Sequence, residues 1–240
     1  PAVSTGYLAF PVGQAPFDDP RLRRAFAQAT NREALPEATP GTFLFPALGG
    51  FVPSGIPGHL PDIALPYDPE RARQLLAEAG YPGGKGFPPV NWLASPSGRM
   101  MAENLQAQWR DSLGLETRWR VIEWADFSAM LGPDPPSPFL LIWIPDWPDP
   151  DNFLRIAMRL RVPSWRHGTY WALVGEARRA MDQTQRMRLY AHAERILAEQ
   201  VPILPLMYFG WHSLLQPWVK RYPKAAPIHQ FWKDVVIEPH

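Results

Sequence analysis

Cysteine is absent from the 240 residues, which excludes disulfides and thiolate-bound metal. That absence fits any compartment and suits an exported protein that avoids stray thiols. An excess of charge of one sign is also lacking. The 24 basic and 23 acidic residues leave a net charge of +1, so nothing global points to nucleic acid or an acidic membrane surface. No hydrophobic run has the length of a membrane span, and no stretch has the layout of a signal peptide. The chain opens at Pro1-Ala2-Val3 without methionine, and we expect it to be an excised portion of a longer protein.

Recognisable reaction chemistry is missing as well. There is no Gly-x-Ser-x-Gly and no Ser-x-x-Lys, the usual settings of a serine nucleophile. Gly83-Gly84-Lys85-Gly86 lacks the spacing of a phosphate loop and follows a helical pattern rather than a strand, so it reads as a turn. The six histidines, His59, His167, His192, His212, His229 and His240, have none of the short spacings of a zinc site. No cofactor is implied.

What is present suffices for a sizeable core. Hydrophobic residues make up 46% of the chain, an ordinary globular share. Proline (30) and tryptophan (11) are abundant. The prolines fit either robust loops or a GC-rich genome. Residues 4–10 read as a strand. Asp18-Asp19-Pro20 opens a helix over 21–30, with Leu22, Phe26 and Ala29 on one face. Residues 36–66 read as a long ordered connection. A helix opened by Asp68-Pro69 carries the stripe Ala72, Leu75, Leu76 and Ala79 and ends at Gly80.

Further strands are expected at 89–94, 115–123, 139–144, 201–209 and 211–216. Helices are expected at 100–113, 124–131, 151–160, 170–181 and 185–200. Strands alternating with helices predict an α/β layered domain with a mixed sheet. Trp109 and Trp119 belong to the core by pattern. His192 with Glu194, and the arginine groups Arg21, Arg23, Arg24 and Arg178, Arg179, read as solvated helix faces.

The densest chemistry lies in Trp143-Ile144-Pro145-Asp146-Trp147-Pro148-Asp149-Pro150-Asp151-Asn152-Phe153, just after an apolar run. Asp149 and Asp151 sit among prolines and read as turn and cap residues. Asp146 precedes the turn and has no such local duty. A carboxylate between indole faces suits a cation such as an ammonium group. Trp143 fits a core role as well as a ligand role.

Several segments together resemble the extracellular solute-binding proteins of family 5, the peptide- and nickel-binding components of ABC importers. They are Pro16-Phe17-Asp18-Asp19-Pro20-Arg21-Leu22-Arg23-Arg24-Ala25-Phe26, Asn31-Arg32-Glu33-Ala34, the proline loop Val52-Pro53-Ser54-Gly55-Ile56-Pro57-Gly58, Tyr67-Asp68-Pro69-Glu70-Arg71-Ala72 through Ala79-Gly80-Tyr81, the motif from Asp146 to Phe153, and Pro202-Ile203-Leu204-Pro205-Leu206.

The resemblance implies the C-terminal half of such a protein: one lobe of a type II periplasmic-binding-protein-like fold. Residues 1–15 would enter the lobe, 16–210 would form it, and 211–240 would return toward the other lobe. It implies a monomeric, non-enzymatic binder of peptides or similar small solutes that hands them to a membrane permease. The setting would be periplasmic or extracellular, soluble or membrane-anchored. By motif position Asp146 would pair with the ligand's α-amino group and Trp143 would accompany it, with Trp147 and Ser95 as further ligand-facing residues. No nucleic acid and no metal are implied.

Where dipeptide binders of the family carry an arginine for the ligand carboxylate, residues 92–96 have none before Arg99, so a longer peptide, bound like an added strand, fits better. Two other readings remain at this point: the sensor portion of a transcription regulator, and a hydrolase using Asp146 and Asp149.

Overall fold

The structure, a computed structural model, describes residues 2–36, 44–131, 135–210, 214–221 and 235–239. Eight residues, Ala2–Ala9, form β1, all of them buried. Helix α1 (Pro20–Gln28) starts as expected: Asp19 accepts the Arg21 N–H, and Pro20 occupies the first turn. Its apolar face, Leu22, Phe26 and Ala29, is fully sealed. The next element, β2 (Leu44–Pro46), lies inside the stretch expected to be connection only. A strand of three residues ending in proline leaves no periodicity to read, and it forms because β6 offers it an edge.

The Asp68 side chain caps α2 (Pro69–Glu78) by accepting the Arg71 N–H. Strand β3 (Asn91–Ala94) leads through a short turn into α3 (Arg99–Leu113). Gly114 closes that helix at φ +70, a left-handed conformation that glycine adopts without steric cost. There follow β4 (Arg118–Val121), α4 (Trp124–Met130), β5 (Phe139–Trp143), a π-helical segment (Asn152–Ala157), α5 (Met158–Arg161), α6 (Gly168–Arg179), α7 (Gln183–Gln200) and β6 (Ile203–Gly210). Strands β7 (Val219–Lys220) and β8 (Val236–Ile237) form a separate small ladder. The strand expected over 211–216 is not seen at 214–216, which are irregular, and 211–213 lie outside the described residues.

The main sheet runs β2-β6-β1-β5-β3-β4. Its β2, β6, β1 and β5 pairings are antiparallel, whereas β3 runs parallel to both β5 and β4. It is the mixed sheet expected. Register assigns the faces, because alternate residues point to opposite sides. Thr5, Tyr7 and Ala9 lie beside Trp143, Leu141 and Phe139, and Tyr7 meets Phe51 and Phe139 while Phe51 meets Phe153. On the opposite face, Trp92 packs among Phe10, Phe17, Phe26 and Trp109, which brings in α1 and α3. Helices therefore cover both faces, but the second face is covered only in part.

Two residues expected on solvated helix faces, Arg23 and Glu194, are buried instead, and so is Arg32. Arg23 is buried and donates to the carbonyls of Phe17, Asp18, Gln200 and Val201. Arg32 is buried and donates to the Pro205 and Leu65 carbonyls. Burial pushes both guanidinium groups down to about 10. Glu194 is fully sealed, although its neighbour His192 is exposed. Its Oε1 accepts the Val52 N–H at 2.7 Å, and burial pushes its carboxyl up to about 8. These groups are matched by backbone from remote parts of the chain, which local periodicity does not reveal.

Candidate ligand-binding site

Strand β5 is the element on which the site is built. It pairs with β1 from Phe139 to Trp143, but β3 reaches it only at Leu93 beside Phe139. Beyond Phe139, the β3-side edge of β5 has no strand partner among the described residues. An unpaired run of backbone donors and acceptors is a template for another strand.

Beside this edge lies a cleft of about 660 Å³. Gly6, Leu140, Ile142, Met207 and Phe209 form its floor, on the part of the sheet face that α1 and α3 leave bare. A Cβ at Gly6 would stand 2.7 Å from the Phe209 ring, which would have to turn aside to admit it. Ile142 and Ile144, 41% and 51% exposed, are apolar groups without cover. Ser95, Ser97, Met101 and Trp124 line the remaining walls, and Ser95 and Ser97 hydrogen-bond each other at 3.0 Å. Among the described residues that line the cleft, Glu123 is the one charged residue, and none of them offers a cation to a ligand carboxylate.

The chain leaves β5 through buried Pro145 and exposes Asp146 and Trp147. Asp146 takes one hydrogen bond among the described residues: its Oδ2 accepts from Asn152 Nδ2 at 3.2 Å. Trp143 lies on the opposite face of the strand from the cleft. It is 7% exposed, donates Nε1–H to Asn152 Oδ1 at 2.9 Å, and has the Arg161 guanidinium 5.8 Å from its ring centre. Trp147 is 43% exposed.

The other two acids of the motif are structural. Asp149 Oδ1 accepts the Asp151 N–H at 2.8 Å, the turn role expected, and also pairs with Arg186 at 2.6 Å. Asp151 does not cap the following helix. It is buried, pairs with Arg155, and accepts the Tyr190 hydroxyl at 3.0 Å. Burial pushes its carboxyl up, but the Arg155 and Tyr190 hydrogen bonds outweigh this and hold it below the usual range. The spacing of Asp151 and Arg155 placed them one helical turn apart, whereas Tyr190 and Arg186 come from α7, far along the chain. The segment they anchor begins at Asn152 and is π-helical, a form found frequently at functional sites.

Among the described residues, no group of three or more His, Asp or Glu could hold a metal ion, and no helix is long and apolar enough to cross a membrane.

A mixed sheet clad by helices is the fold class of the periplasmic binding proteins. Residues 1–159 match the family model for bacterial extracellular solute-binding proteins, family 5. The chain belongs to this family, which is a family of binding proteins.

Among its relatives, the di/tripeptide-binding protein 3 of Pseudomonas aeruginosa is 32% identical over 225 residues, covering 87% of this chain and 41% of that protein. The heme-binding protein A of Haemophilus influenzae is 30% identical over 238 residues, covering 93% and 42%. Among solved structures, the murein tripeptide binding protein of Escherichia coli superposes with a TM-score of 0.83 at 25% identity, covering 100% of this chain and 49% of that one. The chain thus spans less than half the length of these relatives.

Proposed function

We propose that the protein binds peptides, or similar small solutes with a free α-amino group, and delivers them to an ABC permease from the periplasmic or extracellular side. The observation that carries this reading is the free β3-side edge of β5, which runs toward the exposed carboxylate of Asp146. An extended peptide laid along that edge gains main-chain hydrogen bonds, as in strand addition. Its amino terminus then meets Asp146, while its side chains meet the apolar cleft. Absence of a basic residue among the described residues of the cleft lining fits a peptide long enough to carry its carboxylate elsewhere.

The bare sheet face is the surface that a second lobe would close upon. In this reading residues 16–210 are one lobe, 1–15 enter it and 211–240 lead back. Hinge closure traps the ligand without chemical turnover, and the protein acts as a monomer. Peptide-binding relatives support the ligand class. The heme-binding relative supports the apolar cleft alone and gives Asp146 no task.

Mass spectrometry of ligand co-purified with the full-length protein tests the proposal. Peptides with free amino termini are expected. Recovery of heme or another ligand without an amine would overturn it.

A further inference from the structure

We infer that Asn152 is a positioning residue that fixes the ligand-facing carboxylate of Asp146 by tying it to the buried indole of Trp143. The inference rests on the proposed role of Asp146. It concerns a residue that touches no ligand.

The orientation of the Asn152 amide is determined twice over. An indole N–H can only donate, so the amide oxygen must face Trp143. An ionised carboxylate can only accept, so the amide nitrogen must face Asp146. Either neighbour alone would exclude the flipped amide. Asn152 is fully buried, whereas Asp146 is exposed. The bond therefore joins a surface side chain in a proline-rich turn to the packed core.

It engages Oδ2, and Oδ1 has no partner among the described residues, which leaves that oxygen for an ammonium group. Behind the pair, the Arg161 guanidinium over the Trp143 ring favours donation from the indole N–H, and bonds in such a chain strengthen one another. Asn152 is itself held in place, since it opens the π-helical segment that Asp151, Arg155 and Tyr190 anchor.

The test uses the full-length protein, the best binder from a tripeptide library with free amino termini, and the same peptide N-acetylated. Asn152→Asp keeps the acceptor for Trp143 and removes the donor to Asp146. The free-amine peptide is expected to lose about tenfold in affinity, the acetylated one to lose nothing, and the same substitution to be silent in an Asp146→Ala background. Equal losses for both peptides would overturn the inference. So would an unchanged free-amine affinity alongside a damaging Asp146→Ala.

An Asp146→Ala that leaves free-amine binding intact instead overturns the role of Asp146, so the two failures are distinct. Should Asn152→Asp fail to fold, the wild-type protein decides. The Trp143 indole N–H resonance is expected to move on adding the free-amine peptide and to stay in place with the acetylated one. No movement with either would contradict the relay.

Discussion

At the end of β5, Asp146 is exposed and takes one hydrogen bond, from an amide anchored in the core. On α7, Glu194 is sealed, accepts the N–H of Val52 from the loop following β2, and carries an Oε2 with no partner among the described residues. Both carboxyls have an uncommitted oxygen, but only one of those oxygens can be reached. Glu194 meets its isolation by holding its proton, with burial raising it to about 8. Asp146 instead lies on the surface, open to solvent. The contrast separates a carboxyl that braces the fold from one that is free to pair with an incoming cation. Asp149 and Asp151, three and five residues beyond Asp146, fall on the bracing side: Arg155 and Tyr190 engage both oxygens of Asp151, and Arg186 and the Asp151 N–H hold Oδ1 of Asp149.

The largest expected effect lies at the bracing end. A Cβ at Gly50 would stand 2.2 Å from Glu194 Oε1. Gly50→Ala should therefore cost roughly 3 kcal/mol, since the carboxyl is packed on every side and cannot yield without losing its hydrogen bond. Urea unfolding with an unchanged slope would measure it, and a loss below about 0.5 kcal/mol would mean that the loop is not pinned.

Next comes Asp151→Ala, expected to cost about 2 kcal/mol. It leaves the Tyr190 hydroxyl without an acceptor, whereas Arg155 is exposed enough to reach water. A thermal midpoint equal to wild type would remove Asp151 from the bracing group.

A pH series sharpens the comparison further. Glu194 binds its proton more tightly in the fold than in the unfolded chain, so its contribution is fully present below about pH 4.5 and is lost as pH rises through about 8. Glu194→Gln should flatten the fall in stability between those values. An unaltered pH dependence would show that Glu194 is not the group responsible.

The smallest stability effect belongs to the exposed end. Trp147→Ala should alter unfolding by less than about 0.5 kcal/mol while weakening peptide affinity, because the indole is 43% exposed. A large loss of stability with intact binding would reverse its assignment.

How much of this was legible in the sequence follows the same division. Where one residue answers its near neighbours, the pattern was readable: Asp19 and Asp68 cap their helices, Gly114 closes α3, and Asp149 makes its turn. The special position of Asp146 followed from its lack of a local task and from family resemblance. Residues satisfied at long range were misread. Arg23 and Glu194 look like surface charges, because their partners lie as far away as Val201 and Val52. The unpaired edge of β5 was equally hidden, since it depends on where β3 stops. Asn152 carried no signal beyond its place in the motif, and the burial of Trp143 became evident only from the register of β1 and β5.

The central claim is that Asp146 is the free carboxylate of a peptide site, and calorimetry on full-length Asp146→Ala tests it most directly. Binding of a free-amine peptide should fall by about a hundredfold or more, as expected when one partner of a desolvated charge pair is removed, with unfolding unchanged and the N-acetylated peptide unaffected. Wild-type affinity for the free-amine peptide in that variant would contradict the account.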